Sequence, residues 1–259
     1  MNCSHALLSL FLLSPCGDDD GGTAARFSAP GSAAAAAVAH ADRPAADRER
    51  DAGRQPARVL DFFRISPGMR VLEVFAGGGY YSEILSHLVG PRGEVVAHNN
   101  DAYLAYAKDE LDARFAAGRL ANVSRVTAEL DDLELEPASL DAALLILTWH
   151  DFYYADERYG WPAVDERALV DRLCTALKPG AVLGVVDHAA DAGAEPEQTA
   201  RTVHRVDPAR VLADFEGSCF TLEAKGDMLA NAGDDRTTSA IDPALRGQTD
   251  RFVYRFRRV

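Results

Sequence analysis

Four side chains suited to proton transfer or ligand holding follow apolar runs in the chain: His150 and Asp151 in "TWHDFYY", His188 in "VVDHAAD" and His204 in "TVHRVD". An imidazole whose proton affinity lies near neutrality is the commonest general acid or base. Three histidines with aspartates can also hold a metal ion. No two of them have the H-x-x-x-H spacing that puts both on one helix face, so no metal ligand is assigned. The sequence reading is a general-base site with His150 as base and Asp151 as its orienting partner; Asp187 and His188 end the same strand. A second stretch, "VLEVFAGGGYYSE" from Val71 to Glu83, reads as a buried strand, a glycine turn and the start of a helix. Nucleotide-cradling loops are built this way, with backbone N–H groups at a helix N-terminus facing the ligand. Phe75 stands where such a loop usually opens with glycine.

These residues need a scaffold, and the chain alternates strand and helix patterns. "ISPGMRVLEVF" supplies a turn and a first strand, "YYSEILSHLVG" a helix, and "EVVAHNN" a second strand. Asp101 can cap the helix "AYLAYAKDELDARFAAG". Strands follow in "NVSRVTAEL" and in the continuous apolar run "LDAALLILTWHD", which suits a strand buried on both faces. "DERALVDRLCTALKPG" is a helix, "AVLGVVDH" a fifth strand, and Asp207-Pro208 opens a short helix. "CFTLEAK" and "RFVYRFRRV" are strands on either side of a long polar loop. The pattern predicts an α/β fold: a doubly wound, mostly parallel, seven-stranded Rossmann-like sheet with an antiparallel C-terminal edge. Ligands of such sheets bind beyond the carboxyl ends of the strands, at the topological switch point. "DRPAADRERDAGRQPARVLDFF" predicts helical segments capping the domain, broken by Gly53 and Pro56.

Two cofactor classes use this architecture. A dinucleotide loop wants G-x-G-x-x-G with an acid about 20 residues on. Here Gly77 and Gly79 fit, but Ser82 takes the third place and the second strand ends in "AHNN". A nicotinamide oxidoreductase is therefore the weaker reading. "VLEVFAGGGYYSEIL", "SLDAALLI", "LKPGAVLGVVDH" and "DDRTTSAIDPALRGQTDRFVYRFRR" resemble the class I S-adenosylmethionine-dependent methyltransferases. More narrowly they resemble a bacterial, often exported group of predicted methyltransferases, over Asp42 to the C-terminus. The resemblance implies S-adenosylmethionine as cofactor; the acceptor is expected to be a small molecule. The resemblance also implies that Glu73 orders the loop, and that Ala76, Gly77 and Gly79 let backbone approach the methionine end. Phe75, expected at negative φ, would wall the adenosine pocket. Asn99 aligns with the acid that meets the ribose hydroxyls, Glu129 with the acid that meets the adenine amino group, and Leu130 follows it. In the tail, Asp234, Asp235, Arg236, Arg246 and Asp250 read either as ion pairs that hold a lid across the site or as a solvated hairpin.

The 259-residue chain has a formal net charge of −13, so nucleic acid is not expected as its partner. The basic "RFVYRFRRV" reads as alternating strand residues. "ALLSLFLL", Ala6 to Leu13, is too short to span a bilayer, which takes about 20 residues, but it suits a signal peptide. "LSPCGDDDGG" resembles a lipoprotein processing site, with Cys16 as a candidate lipid anchor. The expected organisation is a leader over 1–16, a disordered tether over 17–41, and a methyltransferase-like domain over 42–259. The expected location is periplasmic or membrane-anchored, with the cytoplasm as the alternative. Cys174 and Cys219 are expected as buried free thiols. A competing functional reading is a non-catalytic exported binding protein on a methyltransferase scaffold.

Overall fold

The computed structural model describes residues 31–259, together with Met1. The expected signal sequence, Cys16 and most of the expected tether lie outside the described residues. The last part of that tether does not. Residues Ala33–Val38 form a helix, α1, capped by Ser32, with Ala34 and Ala37 buried. Small side chains let α1 pack closely against the neighbouring helices α3 (Pro56–Phe62) and α4 (Tyr80–Val89). The ordered body therefore begins before Asp42.

The helix α2 (Ala45–Arg54) ends at Gln55, which is left-handed at φ 42°, and Pro56 restarts the chain as α3. Gly53 stays inside α2; the break falls at Gln55. The strands are β1 (Arg70–Val74), β2 (Glu94–Asn99), β3 (Val123–Thr127), β4 (Leu140–Ile146), β5 (Leu177–His188), β6 (Phe220–Gly226) and β7 (Arg251–Arg258). They form one seven-stranded sheet in the order β3-β2-β1-β4-β5-β7-β6. The first five pair in parallel, and β7 inserts antiparallel between β5 and β6. The expected fold class holds. The switch point lies between β1 and β4, where the order reverses.

Alternation along the strands divides the core in two. Leu72, Val74, Ala143 and Leu145 face a cluster with α6 (Glu166–Ala176) and α8 (Pro208–Asp214); Val71, Ala142 and Leu144 face α3 and α4. The helix α5 (Asp101–Arg114) is capped by Asn100, whose Oδ1 accepts from the Tyr103 amide at 3.0 Å, and not by Asp101 as expected. The helix α7 (Pro196–Val203), which the sequence reading did not separate, precedes α8; Asp207 caps α8 as expected. No helix among the described residues is long and apolar enough to cross a membrane.

Two buried features give the fold a measurable signature. Cys174 and Cys219 form a disulfide across a separation of 45 residues, correcting the expectation of free thiols. Their Cα atoms lie 5.9 Å apart because α6 packs beside the start of β6. Glu73 projects from β1 toward α4 and is buried, accepting from Ser82 Oγ at 2.6 Å. Burial drives its pKa up to about 7 against the opposing pull of the Ser82 hydroxyl, Arg114 and Arg54.

Replacing both Cys174 and Cys219 with alanine should lower unfolding free energy by about 3–4 kcal/mol, as loop-closure entropy for this separation dictates; chemical denaturation under non-reducing conditions measures it. Glu73 sets a pH dependence of opposite sense to a salt-bridged carboxylate. Between about pH 4.5 and about pH 7 the unfolded chain has released a proton that the folded chain keeps, so this group's contribution falls as pH rises. Glu73→Gln should therefore gain on wild type by on the order of 3 kcal/mol between about pH 4 and about pH 8 in urea titrations. A difference that stays flat with pH would mean that Glu73 is ionised in the fold.

Candidate active site

The carboxyl ends of β4 and β5 open on a cleft of about 1670 Å³. Its walls include α2 (Arg50, Gly53, Arg54), the start of α5 (Ala102, Tyr103), the segment after β4 (Leu147, His150, Asp151) and the end of β5 (His188). His204 and the loop carrying Ile241, Arg246 and Gly247 close the far side. All four catalytic candidates, His150, Asp151, His188 and His204, line it. None of the cofactor candidates Glu73, Phe75, Ala76, Gly77, Gly79, Asn99, Glu129 and Leu130 does.

The histidine edge is organised by Asp187. Its fully buried carboxylate accepts from the His150 amide at 2.8 Å and from the His188 amide at 2.7 Å, and it meets His150 Nδ1 at 2.8 Å. The expected orienting partner, Asp151, lies instead on the other side of the ring, 3.3 Å from Nε2. With both ring nitrogens facing carboxylates, His150 has no lone pair turned to the cleft, and the expected base role does not fit this arrangement. Burial lowers the proton affinity of His150, but Asp151 and Asp187 outweigh it and raise the pKa to about 9. Asp151 in turn accepts from the Tyr103 hydroxyl at 2.8 Å and the Tyr154 hydroxyl at 3.3 Å. His188 Nδ1 pairs with Thr249 Oγ1 at 2.8 Å. Burial and the neighbouring cations push His188 well below its ordinary value, and burial also lowers His204. His204 is the left-handed C-cap of α7, with its ring edge-on to His150 at 5.6 Å.

The glycine turn has the expected backbone. Gly77 and Gly79 are left-handed at φ 56° and 79°, a conformation that costs glycine little and most residues more. A Cβ on Gly77 would meet open space, whereas one on Gly79 would meet the Arg114 side chain at 2.9 Å. Arg114 is buried, donates from Nε to the Gly78 carbonyl at 2.6 Å and pairs with Asp47 and Glu83. One face of the turn is thus covered by α2 and α5.

Phe75 departs from expectation. It takes φ 54° instead of a negative value, and its buried ring stacks on Tyr103 at 4.5 Å, beside Phe152 and Trp161. Asn99 is also committed: Oδ1 accepts from the Gly77 amide at 2.9 Å and Nδ2 donates to the Gly77 carbonyl at 3.1 Å. Asn100 Nδ2 donates to Glu129 at 3.1 Å, and Leu130 is buried beside it. These groups hold each other and the turn.

The sequence reading missed Arg54. It ends α2 above the Tyr80 ring at 4.6 Å, faces the cleft and makes no hydrogen bond or ion pair among the described residues. Burial and the adjacent Arg50 lower its pKa. Its signal would have been an arginine directly before a helix break, but nothing in the sequence says which way it points. The lid residues pair as foreseen only in part. Arg236 meets Asp250 at 2.7 Å, but Asp234 pairs with Arg205, the two buried 2.7 Å apart, and Asp235 caps the turn at Thr237 and Thr238. Arg246 lines the cleft without an ion pair among the described residues.

The profile of the protein-L-isoaspartate(D-aspartate) O-methyltransferase (PCMT) family matches residues 46–126, from α2 through β3. The ubiquinone/menaquinone biosynthesis C-methyltransferase UbiE of Shewanella oneidensis is 31% identical over 122 residues, 47% of this chain and 43% of its own length. The chain thus matches less than half of that relative. Among solved structures, an S-adenosylmethionine-dependent methyltransferase from Aquifex aeolicus superposes with a TM-score of 0.54 at 18% identity, covering 82% of this chain and 98% of its own. The arsenic(III) S-adenosylmethionine methyltransferase of Chlamydomonas reinhardtii gives 0.52 at 19% identity, covering 88% of this chain and 74% of its own. The chain carries the fold of the S-adenosylmethionine-dependent methyltransferases.

Proposed function

We propose that this chain is an S-adenosylmethionine-dependent methyltransferase that acts on a small-molecule acceptor in the cleft, and that it works outside the cytoplasm. The observation that carries the reading is the placement of the glycine turn and the histidine edge on either side of the β1/β4 switch point. The amino-acid end of the cofactor fits the residues present. The space beside Gly77 is open, and the unpaired Arg54 guanidinium is the natural partner of a carboxylate. When bound, the cofactor supplies an electrophilic methyl group on sulfur. The chain's part is to orient the acceptor along His150, Asp151, His188 and His204 and to keep water out, because methyl transfer depends mainly on positioning. The adenosine end fits less well, since the Phe75 ring lies on Tyr103 and Asn99 is spent on the turn. Those two observations favour the second reading, a binding protein that keeps the scaffold without the reaction. The Cys174–Cys219 disulfide supports export, because such bonds persist in oxidising compartments.

Calorimetry of the full chain with S-adenosylmethionine and its demethylated product separates the readings. Wild type should bind, and Arg54→Gln should weaken binding about 10- to 100-fold, the loss of one charge-assisted contact, while leaving the melting temperature nearly unchanged. Phe75→Gly should tighten binding by opening the adenosine end, at the cost of core packing. No binding by either wild type or Phe75→Gly at millimolar cofactor would leave the scaffold reading standing. For location, fractionation of cells making the full chain should recover it from the periplasm or membrane with the leader removed; an intact N-terminus in the soluble cytoplasm would reject export.

A further inference from the structure

We propose that His150, Asp151 and His204 bind a divalent transition metal ion whose remaining coordination positions face the cleft. The inference is independent of the methyltransferase reading. Each residue offers one ligand atom, and the three atoms lie within 4.8 Å of one another. Two imidazoles and one carboxylate suit a borderline ion such as zinc or iron(II), and three protein ligands leave room for water or a substrate oxygen.

What surrounds the three residues is as specific as the residues themselves. A metal-bound histidine almost always has its other ring nitrogen held by a carboxylate or carbonyl, which fixes the tautomer and aims the free nitrogen. His150 has this arrangement: Nδ1 rests on the buried Asp187 at 2.8 Å, and Nε2 points toward Asp151. Asp151 is steadied by the Tyr103 hydroxyl on Oδ2 and the Tyr154 hydroxyl on Oδ1, which leaves one lone pair of Oδ1 for the neighbourhood of His150 Nε2. His204 is the adaptable member. Its ring makes no hydrogen bond among the described residues, and it is half-buried at the end of α7. Tetrahedral ligands about 2.0–2.2 Å from a zinc ion stand roughly 3.3 Å apart, so a rotation of the His204 side chain closes the site. The ion would take the place of the proton between His150 Nε2 and Asp151, releasing that proton on binding. Sequence spacing hides the site because its ligands follow β4 and α7, elements 50 residues apart that only the fold brings together.

The test is zinc titration of the full chain after chelator treatment and dialysis, followed by calorimetry and thermal melting, with Co²⁺ as a spectroscopic probe. One equivalent of Zn²⁺ should bind and raise the melting temperature, and bound Co²⁺ should show a visible ligand-field band. His204→Gln and Asp151→Asn, each checked for native circular dichroism, should lose at least tenfold in affinity. Asp187→Asn, which touches no metal, should lose about 10- to 100-fold through a misaimed His150. His87→Gln, at the separate His40–His87 stack, should bind as wild type does. Absence of Zn²⁺ binding by wild type at 100 micromolar would overturn the proposal. So would equal affinity in wild type, His204→Gln and Asp151→Asn, which would place the ion elsewhere on this acidic chain.

Discussion

A carboxylate buried without compensation is among the costliest groups a protein can contain, and Asp187 is wholly buried at the end of β5. Its compensation comes from two backbone amides and one imidazole, and each draws a different part of the site into place. The His150 amide fixes the chain where it leaves β4, the His188 amide fixes the end of β5, and the His150 ring is aimed by what remains. The fold has little choice here. If the β4 segment moved outward, the charge would lose its imidazole and one of its two amides in a dry interior, so the geometry of the histidine edge is enforced by the penalty for losing it.

The glycine turn is governed by a comparable economy on the other side of the switch point. Asn99 satisfies both polar groups of Gly77 with one amide, which a carboxylate could not do because it has no donor for the Gly77 carbonyl. Arg114 holds the next carbonyl and brings Asp47, Glu83 and Glu110 to the same place. The turn is therefore braced from β2, α2 and α5 at once. Such bracing preorganises the backbone for a ligand, and it explains why residues that resemble ribose and adenine contacts are turned inward on their own chain.

The sheet was legible because continuous apolar runs separated by glycine and proline punctuation carry strand and helix boundaries directly. Strand order beyond β5 was less so, since antiparallel insertion of β7 depends on pairing partners 63 to 75 residues apart, as His188 with Arg251 and Val182 with Arg257. The helix α1 escaped because an alanine run has no polar face to contrast with a buried one; its packing against α3 and α4 decides it. The edge residues His150, Asp151 and His188 were found through their places at strand ends, where direction follows from topology; His204 ends the helix α7 instead. Arg54 and Tyr103 lie on helices, and only tertiary packing turns them to the cleft. Phe75 was misjudged in its backbone: residue type reports a side chain, while the sign of φ is imposed by the turn it enters. The disulfide escaped for the same reason as the histidine cluster, because proximity across 45 residues is a property of the fold.

The insertion of β7 between β5 and β6 has a consequence for the order in which the molecule can be made. Thr249, the partner of the His188 ring, immediately precedes β7, and Asp250 at its threshold donates from its backbone to Asp234 in the pair with Arg205. During synthesis these residues emerge after β1 to β6 have left the ribosome. The histidine edge therefore stays incomplete until β7 has been made, with β6 lacking its neighbour in the meantime. A nascent chain caught before that moment holds the parallel half of the sheet without a finished site.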